Sequence, residues 1–224
     1  PHTDLAMRKR NIRTTDAPPP PRNRRHALRR RWKRFKNKEL MENAAFGAFN
    51  HIGRVAPSLI PRLNGLVASE GDRAEYLTTS YEVFASPRRV RFYEMEYGVP
   101  AEHGIEALHR VMNLVQNLGR PISFPVEYRI LGPDQIPLST SFDRATAYIA
   151  VHVFRRTPYE DYFRGVEEIM DDYGGRPHWG KLHFQTSDTL GGRYPQWYRF
   201  QAARRRLDPT GRFANDYLDR VLGT

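Results

Sequence analysis

Glu127 and Arg129 are separated by one residue in a stretch that alternates apolar and polar side chains. Because side chains alternate across a β-strand, both would lie on the same polar face. A carboxylate and a guanidinium held together can bind a polyhydroxylated ligand, and the guanidinium can stabilise developing negative charge. The same spacing also suits an ordinary ion pair on a solvated sheet face, which is common and contributes little to stability.

The tetrapeptide His178-Trp179-Gly180-Lys181 is a second candidate, because it follows a Gly-Gly-Arg-Pro stretch that predicts a rigid turn. If the tetrapeptide is extended, Trp179 and Lys181 share one side. A lysine beside an aromatic ring can stabilise an anionic reduced cofactor or orient a substrate hydroxyl. The alternative is a packed tryptophan with a lysine stem lying along apolar surface.

His152 interrupts an apolar run at residues 147–154. A lone histidine in such a strand is more often a satisfied core residue than a ligand or base. The histidines and acids show no His-Glu-x-x-His or comparable spacing, so we predict no protein metal site. The nucleophile elbow, the P-loop and the G-x-G-x-x-G motif are also missing, which leaves hydrolase, NTPase and Rossmann functions without local support.

The elements that must position these residues follow from hydrophobic periodicity. Helical spacing covers residues 39–66, where Pro57 and Pro61 predict two short helices. Strands are predicted at residues 81–84, 90–99, 122–131 and 147–154, an extended piece at 178–183, and further helices at 101–118, 157–173, 194–207 and 215–222. The order predicts an α+β fold: a mainly antiparallel sheet covered by helices on one face, with a split β-α-β-like arrangement.

Two of these elements carry predicted apolar faces. The strand at 122–131 presents one continuous apolar face made of Ile122, Phe124, Val126, Tyr128 and Ile130. The helix at 101–118 presents an apolar stripe made of Ile105, Leu108, Met112, Val115 and Leu118.

The charge of the chain is uneven. Residues 1–38 hold fourteen Lys and Arg against two Asp, whereas the remaining residues hold 22 basic and 23 acidic side chains. We therefore predict a junction and basic Pro/Arg-rich arm over residues 1–38 and a near-neutral domain over residues 39–224. The arm could be a solvated loop, contact an anionic membrane surface, or grip nucleic-acid phosphates. Nucleic acid is the weakest of these, because the domain shows no recognisable nucleic-acid fold.

The chain has 224 residues and no cysteine, which excludes disulfides, thiol nucleophiles and thiolate metal sites. It begins at Pro1 without an initiator Met, resembles no signal peptide, and has no run of about 18 apolar residues that would predict a transmembrane helix. We expect a piece of a longer protein in the cytoplasm, with peripheral membrane contact left open.

Four ordered segments resemble the aldonolactone oxidoreductases of the vanillyl-alcohol-oxidase-type flavoproteins, which include L-gulono- and D-arabinono-1,4-lactone oxidases and dehydrogenases. They are residues 175–183 (Gly-Arg-Pro-His-Trp-Gly-Lys-Leu-His), 207–218 (Leu-Asp-Pro-Thr-Gly-Arg-Phe-Ala-Asn-Asp-Tyr-Leu), 124–129 (Phe-Pro-Val-Glu-Tyr-Arg) and 1–4 (Pro-His-Thr-Asp). Each segment alone is weak, but the ordered set is specific and spans nearly the whole chain.

The resemblance implies a substrate-binding domain that caps an FAD held by a separate flavin domain, with hydride passing from C2 of a sugar lactone to flavin N5. Glu127 and Arg129 would bind substrate hydroxyls and stabilise the developing alkoxide. Lys181 would lie near both the flavin and the reacting hydroxyl. His178 and Trp179 would build the flavin-facing wall, and His152 would line the substrate site.

Two departures qualify what the resemblance implies. Phe154 stands where alditol-oxidising relatives have a threonine, which argues against a linear-polyol substrate. The Gly-His-Ser motif and the glycine-rich pyrophosphate loop are missing, so the flavin domain would lie upstream or on another chain. The isolated chain is then expected to be inactive. A non-catalytic relic of the fold is the alternative, besides the membrane and nucleic-acid functions of the arm.

Overall fold

In a computed structural model of the chain, the described residues are 43–68, 77–81, 85 and 88–223, together with isolated positions before residue 33. The predicted basic arm therefore lies almost entirely outside the described residues. The chain divides into two compact units: one holds 92–120 and 124–224, and the other holds 2–91 and 121–123.

The unit before Phe92 contains helix α1 (Phe46–Val55), a 3-10 turn (Pro57–Leu59) and helix α2 (Ile60–Ala68). The two short helices expected from Pro57 are thus confirmed, because a proline cannot continue the hydrogen bonding of the first helix. The strand predicted to begin at Tyr81 is wrong at that residue. Tyr81 is helical, and its carbonyl accepts a 2.8 Å bond from the Ala85 N–H, while residues 82–84 lie outside the described residues.

The other unit is a four-stranded sheet with five helices. In chain order its elements are β1 (Phe92–Pro100), a 3-10 turn (Ala101–His103), α3 (Gly104–Asn117), β2 (Glu127–Leu131), β3 (Thr146–Phe154), α4 (Glu160–Asp171), β4 (Arg176–Pro177), α5 (Ser187–Gly191), α6 (Trp197–Leu207) and α7 (Asp216–Leu222). The strand order is β2-β3-β1-β4, and every neighbouring pair is antiparallel. Since β3 separates β1 from β2, the predicted α+β class and split β-α-β arrangement are confirmed.

One face of the sheet packs under α3 and α4 and forms the main core. Met95, Tyr97 and Val99 of β1 are fully buried on this face, as are Ile149 and Val151 of β3. We call it the helix-covered face. A smaller core lies near the C-terminus and is made of Leu190, Tyr194, Trp197 and Val221.

The apolar stripe predicted for α3 is wrong in its phase at the start of the helix, at Ile105, and is confirmed at Val115. The helix buries Gly104, Ala107, Val111 and Val115, whereas Ile105 is 54% exposed. The reason is close packing: a Cβ on Gly104 would lie 2.4 Å from the Ala147 Cβ. Gly104 therefore faces the sheet, and Ile105 next to it is turned outward.

The strand predicted at 122–131 is half as long as expected. Pairing with β3 begins only at Glu127, because Pro125 has no N–H to donate to the ladder. The continuous apolar face is also wrong at its end, since Ile130 is 68% exposed. β2 is an edge strand, and the covering helices do not extend over its last residues.

Candidate functional site

The face of the sheet opposite the helices carries a cluster of ionisable side chains. Register places Glu96 opposite Ala150 and Ala150 opposite Glu127, so both carboxylates lie on this face. Glu94 lies opposite His152 in the next row. Arg129 of β2 and Lys181, which follows β4, reach the same place. The acid–base cluster comprises Glu94, Glu96, Glu127, Arg129, His152 and Lys181.

Glu96 lies at the centre of this cluster. Its Oε2 atom accepts a 2.5 Å bond from Arg129 and a 2.8 Å bond from the Lys181 Nζ. Arg129 also bonds to Glu127. Partial burial would lower the pKa of Arg129, but the charges of Glu96 and Glu127 outweigh it and raise that pKa. The guanidinium is therefore held permanently charged.

Glu94 links the lysine to the histidine. Its Oε1 atom lies 2.6 Å from the Lys181 Nζ and 3.1 Å from the His152 Nε2. Burial alone would raise the pKa of Glu94, but hydrogen bonds and charges from His152 and Lys181 lower that pKa to about 2. A carboxylate of such low basicity is a poor proton acceptor at neutral pH. Glu94 is therefore suited to accept hydrogen bonds rather than to remove a proton.

His152 is almost fully buried and packs against two aromatic rings that also contact each other. Phe92 lies 5.3 Å from its ring centre and Phe124 5.8 Å. Because Glu94 is an ionised acceptor, the Nε2 atom must carry the hydrogen that it donates. Within the described residues the buried Nδ1 atom has no hydrogen-bond partner. His152 thus belongs to the cluster while its ring is part of the core.

The turn that carries Lys181 is held against the edge of β1. The His178 N–H donates to the Glu96 carbonyl at 2.9 Å, and the Leu182 N–H donates to the Glu94 carbonyl at 3.0 Å. Between them the Lys181 N–H donates to the His178 carbonyl at 3.1 Å, which closes a turn. The extended conformation expected for residues 178–183 is therefore wrong at residues 178–181, where the chain turns after strand pairing ends at Pro177.

A cavity of about 500 Å³ opens where this turn meets β1. Its lining residues are Phe92, Tyr93, Glu94, Trp179, Gly180, Lys181, Leu182 and Tyr217. The cavity thus combines aromatic walls with one ammonium and one carboxylate of the acid–base cluster. Such a combination of apolar surface and few convergent polar groups is typical of small-molecule sites.

Trp179 and Tyr217 form a braced wall of the cavity. The Trp179 Nε1 donates to the Leu138 carbonyl at 2.9 Å, and its ring centre lies 5.3 Å from that of Tyr194. The Tyr217 hydroxyl donates to the Trp179 carbonyl. Because both polar tips are bonded to main-chain oxygens, the two rings are held rigidly.

The sequence-derived candidates occupy two adjoining places, the acid–base cluster and the cavity, which share Lys181, while His178 lies outside both. Lys181 and Trp179 line the cavity, while Glu127, Arg129 and His152 lie on the adjoining sheet face. His178 is exposed and is not among the lining residues; its Nδ1 accepts a 3.0 Å bond from the Gly180 N–H. Glu127 and Arg129 remain open to solvent, with 34% and 49% of their side-chain surface exposed.

Glu94 and Glu96 were missed as candidates by sequence reasoning. Both stand in β1, where they alternate with Tyr93, Met95 and Tyr97. The sequence did contain a signal that could have identified them: two carboxylates share one face of a strand whose other face is apolar. Buried acids require partners, so such a pattern indicates nearby donors or cations. The partners lie 33 or more residues away along the chain, so only the fold reveals them.

Within the described parts of the chain, no group of three or more His, Cys, Asp or Glu side chains is arranged to hold a metal ion. The helices found there are all too short or too polar to cross a membrane.

Comparison with known proteins places this chain in a family. A family profile described as D-arabinono-1,4-lactone oxidase matches residues 1–221. The chain is 47% identical over its whole length to L-gulono-1,4-lactone dehydrogenase of Mycobacterium tuberculosis, covering 50% of that protein. It is 34% identical to L-gulonolactone oxidase of Bos taurus over 67% of the chain and 35% of the relative.

The chain therefore spans about half or less of the length of these curated relatives. The profile match extends over the acid–base cluster, the turn at 178–182 and the cavity wall at Tyr217. On this match, the chain belongs to the D-arabinono-1,4-lactone oxidase family.

Proposed function

We propose that residues 39–224 form the substrate-binding domain of an FAD-dependent sugar-1,4-lactone oxidase or dehydrogenase. The substrate is an L-gulonolactone-like ring that is oxidised at the carbinol C2. The observation that carries this proposal is the acid–base cluster beside an aromatic-walled cavity. Membership of a family whose relatives are named for lactone oxidation supports it.

The cluster offers both kinds of polar group that a polyhydroxylated ring needs. Glu94 and Glu127 accept hydrogen bonds from ligand hydroxyls, and Arg129 and Lys181 donate to ligand oxygens. The two cations also stabilise negative charge that develops on a reacting hydroxyl oxygen. Because the pKa of Glu94 is about 2, Glu94 is a weak base. The proposal therefore relies on charge stabilisation by Lys181 and not on proton removal by Glu94.

The residues of the cavity fit a planar cofactor ring. Trp179 and Tyr217 supply flat apolar surface, and Lys181 supplies an ammonium group. FAD, when bound through a flavin domain, supplies the acceptor for the hydride. On this side of the site we assign Trp179 and Lys181 to contacts with the ring, and His178 to holding the turn through its bond from Gly180.

The test uses the full-length protein that contains this chain, loaded with flavin. Anaerobic mixing with L-gulono- and D-arabinono-1,4-lactone should bleach the flavin absorbance, and linear alditols should bleach it more slowly. Glu127→Gln should slow lactone bleaching, whereas Glu168→Gln, on the exposed side of α4, should match the parent. Bound flavin that no lactone bleaches, or a Glu127→Gln variant as fast as the parent, would contradict the proposal.

A further inference from the structure

We infer that Glu96 is a positioning residue, which fixes Lys181 and Arg129 relative to each other for lactone binding. This inference rests on the proposed function. Glu96 is 5% exposed and does not line the cavity, so it acts through the two cations rather than by touching substrate.

The geometry of one oxygen atom carries the inference. Oε2 of Glu96 accepts from Arg129 at 2.5 Å and from the Lys181 Nζ at 2.8 Å. Two cations that approach each other repel, and a carboxylate between them removes that repulsion. Removing both cations would leave the buried carboxylate of Glu96 without these charged donors, which would be strongly unfavourable. The carboxylate of Glu96 therefore links the two cations, although each of them also binds a second carboxylate, Glu127 for Arg129 and Glu94 for Lys181.

The main chain of Glu96 holds the same lysine by a second route. Its carbonyl accepts the 2.9 Å bond from the His178 N–H, which anchors the start of the turn. The backbone of Glu96 is itself held on both sides, because β1 pairs with β3 and with β4. Glu96 therefore fixes Lys181 in two ways. Its carbonyl anchors the turn that contains the lysine, and its carboxylate binds the ammonium group of the lysine.

The residue type at position 181 also indicates that its ammonium group is held in one position. Lys181 is the only lysine after residue 38, although 21 arginines occur in that part of the chain. An ammonium is a compact charge with three donors. Glu94 and Glu96 take two of them, and among the described residues no further hydrogen-bond partner of Nζ is found. One N–H is therefore left for a ligand oxygen.

The first experiment needs no turnover. Full-length protein is treated with an amine-acetylating reagent, and the labelling rate of Lys181 is followed by peptide mass spectrometry against the lysines before residue 39. Glu96→Gln should release the ammonium and raise the Lys181 rate several-fold. Glu167→Gln removes an equally buried carboxylate from the helix-covered face and should leave that rate unchanged.

The second experiment is a double-mutant cycle on kcat/KM for the lactone. Glu96→Gln should lower kcat/KM by about 10- to 100-fold, the effect of losing hydrogen bonds to charged groups. Both kcat and KM should change, because Lys181 is misplaced for binding and for charge stabilisation. In a Lys181→Met background the same substitution should cost much less, since its main route of action is gone.

The outcomes separate this inference from the proposed function. Unchanged Lys181 labelling in Glu96→Gln overturns the inference whether or not the protein oxidises lactones. Additive effects of Glu96→Gln and Lys181→Met also overturn it. A parent that turns over no lactone overturns the proposed function instead. If Glu96→Gln fails to fold, Glu96→Asp, whose shorter side chain cannot reach both cations, takes its place with the same expected signs.

Discussion

The two faces of the sheet each bury a glutamate, but the two glutamates have opposite kinds of partner. Glu96 lies on the face opposite the helices, which carries the acid–base cluster and is called the open face below, and it binds the cations Arg129 and Lys181. Glu167 of α4, on the helix-covered face, accepts from the Tyr97 hydroxyl and, at 2.9 Å, from the Phe184 N–H. Burial and the charge of Glu167 raise the pKa of Tyr97, so the phenol keeps its proton and remains a donor.

This difference distinguishes Glu167, which supports the fold, from Arg129 and Lys181, which are available to a ligand. Two neutral donors bond to the Oε2 atom of Glu167 inside a packed core. The partners of Glu96 reach the surface, since Lys181 lines the cavity and Arg129 is half exposed. Substitutions on the open face should therefore affect lactone chemistry, and those on the helix-covered face should affect stability.

The largest expected effect is that of Lys181→Met in the full-length, flavin-loaded protein. Loss of the ammonium should lower kcat/KM for the lactone by about 10²- to 10³-fold, as expected for removing one charge-stabilising donor. Steady-state assays on the lactone panel measure it, with Glu168→Gln as the exposed control. Turnover equal to that of the parent would contradict a role of the open face in lactone oxidation.

The next largest expected effect is a loss of folding stability at acidic pH, caused by His183, which lies outside the acid–base cluster. Burial, together with the charges of Arg220 and Arg193, lowers the pKa of His183 from 6.5 to about 4. The unfolded chain then binds a proton that the folded chain rejects, so stability present above pH 6.5 is lost as the pH falls toward 4. The full loss is about 3 kcal/mol at 1.4 kcal/mol per pKa unit.

Urea unfolding of the parent and of His183→Gln across this window tests the prediction. His183→Gln should flatten the pH dependence between 6.5 and 4. Glu94 stays ionised in the folded chain, because its pKa is lowered from 4.5 to about 2. In the unfolded chain it takes up a proton near pH 4.5, so it adds a smaller loss at the acidic end of the window in both proteins. A parent whose stability is constant between these pH values would contradict the prediction.

A third prediction tests the helix-covered face. Tyr97→Phe leaves the buried carboxylate of Glu167 with the Phe184 N–H as its remaining protein donor among the described residues. Stability should fall by about 1–3 kcal/mol, the cost of an unsatisfied buried polar group. Thermal and urea unfolding measure the loss, and kcat/KM of the folded fraction should stay at the parent value. A fall in kcat/KM without loss of stability would contradict the assignment of the helix-covered face to stability alone.

The smallest effect is expected at the uncovered end of β2. Ile130→Thr should change stability by less than about 0.5 kcal/mol, since the side chain is 68% exposed. Ile149→Val, at a fully buried position of β3, should cost about 1 kcal/mol and serves as the matched comparison. A larger cost at Ile130 than at Ile149 would mean that another surface covers this edge.

Much of the fold was predictable because its periodicities are local. β3 and α4 were predicted to within a few residues, since a nine-residue buried strand and an amphipathic helix both carry strong patterns. The phase of α3 was not predictable in this way. Its contact surface is set by how closely Gly104 approaches Ala147, which is a property of the packed pair.

The candidate site was partly predictable for the same reason. The polar face shared by Glu127 and Arg129 follows from strand alternation, and Lys181 was singled out by its motif. The importance of Glu96 was missed, because its partners Arg129 and Lys181 are 33 and 85 residues away in the chain. No local pattern reports such a separation.

By itself, the sequence determined the class of fold, the family resemblance and the set of residue types available for chemistry, because each of these is written in short-range spacing. The tertiary structure alone decided that Glu127, Arg129, Lys181 and His152 share one sheet face with two further carboxylates. It did so through strand order: Arg129 of β2 reaches across β3 to Glu96 of β1, and Lys181 reaches Glu96 from the turn that follows β4. Electrostatic partners act over a few ångströms, and only the folded chain determines those distances.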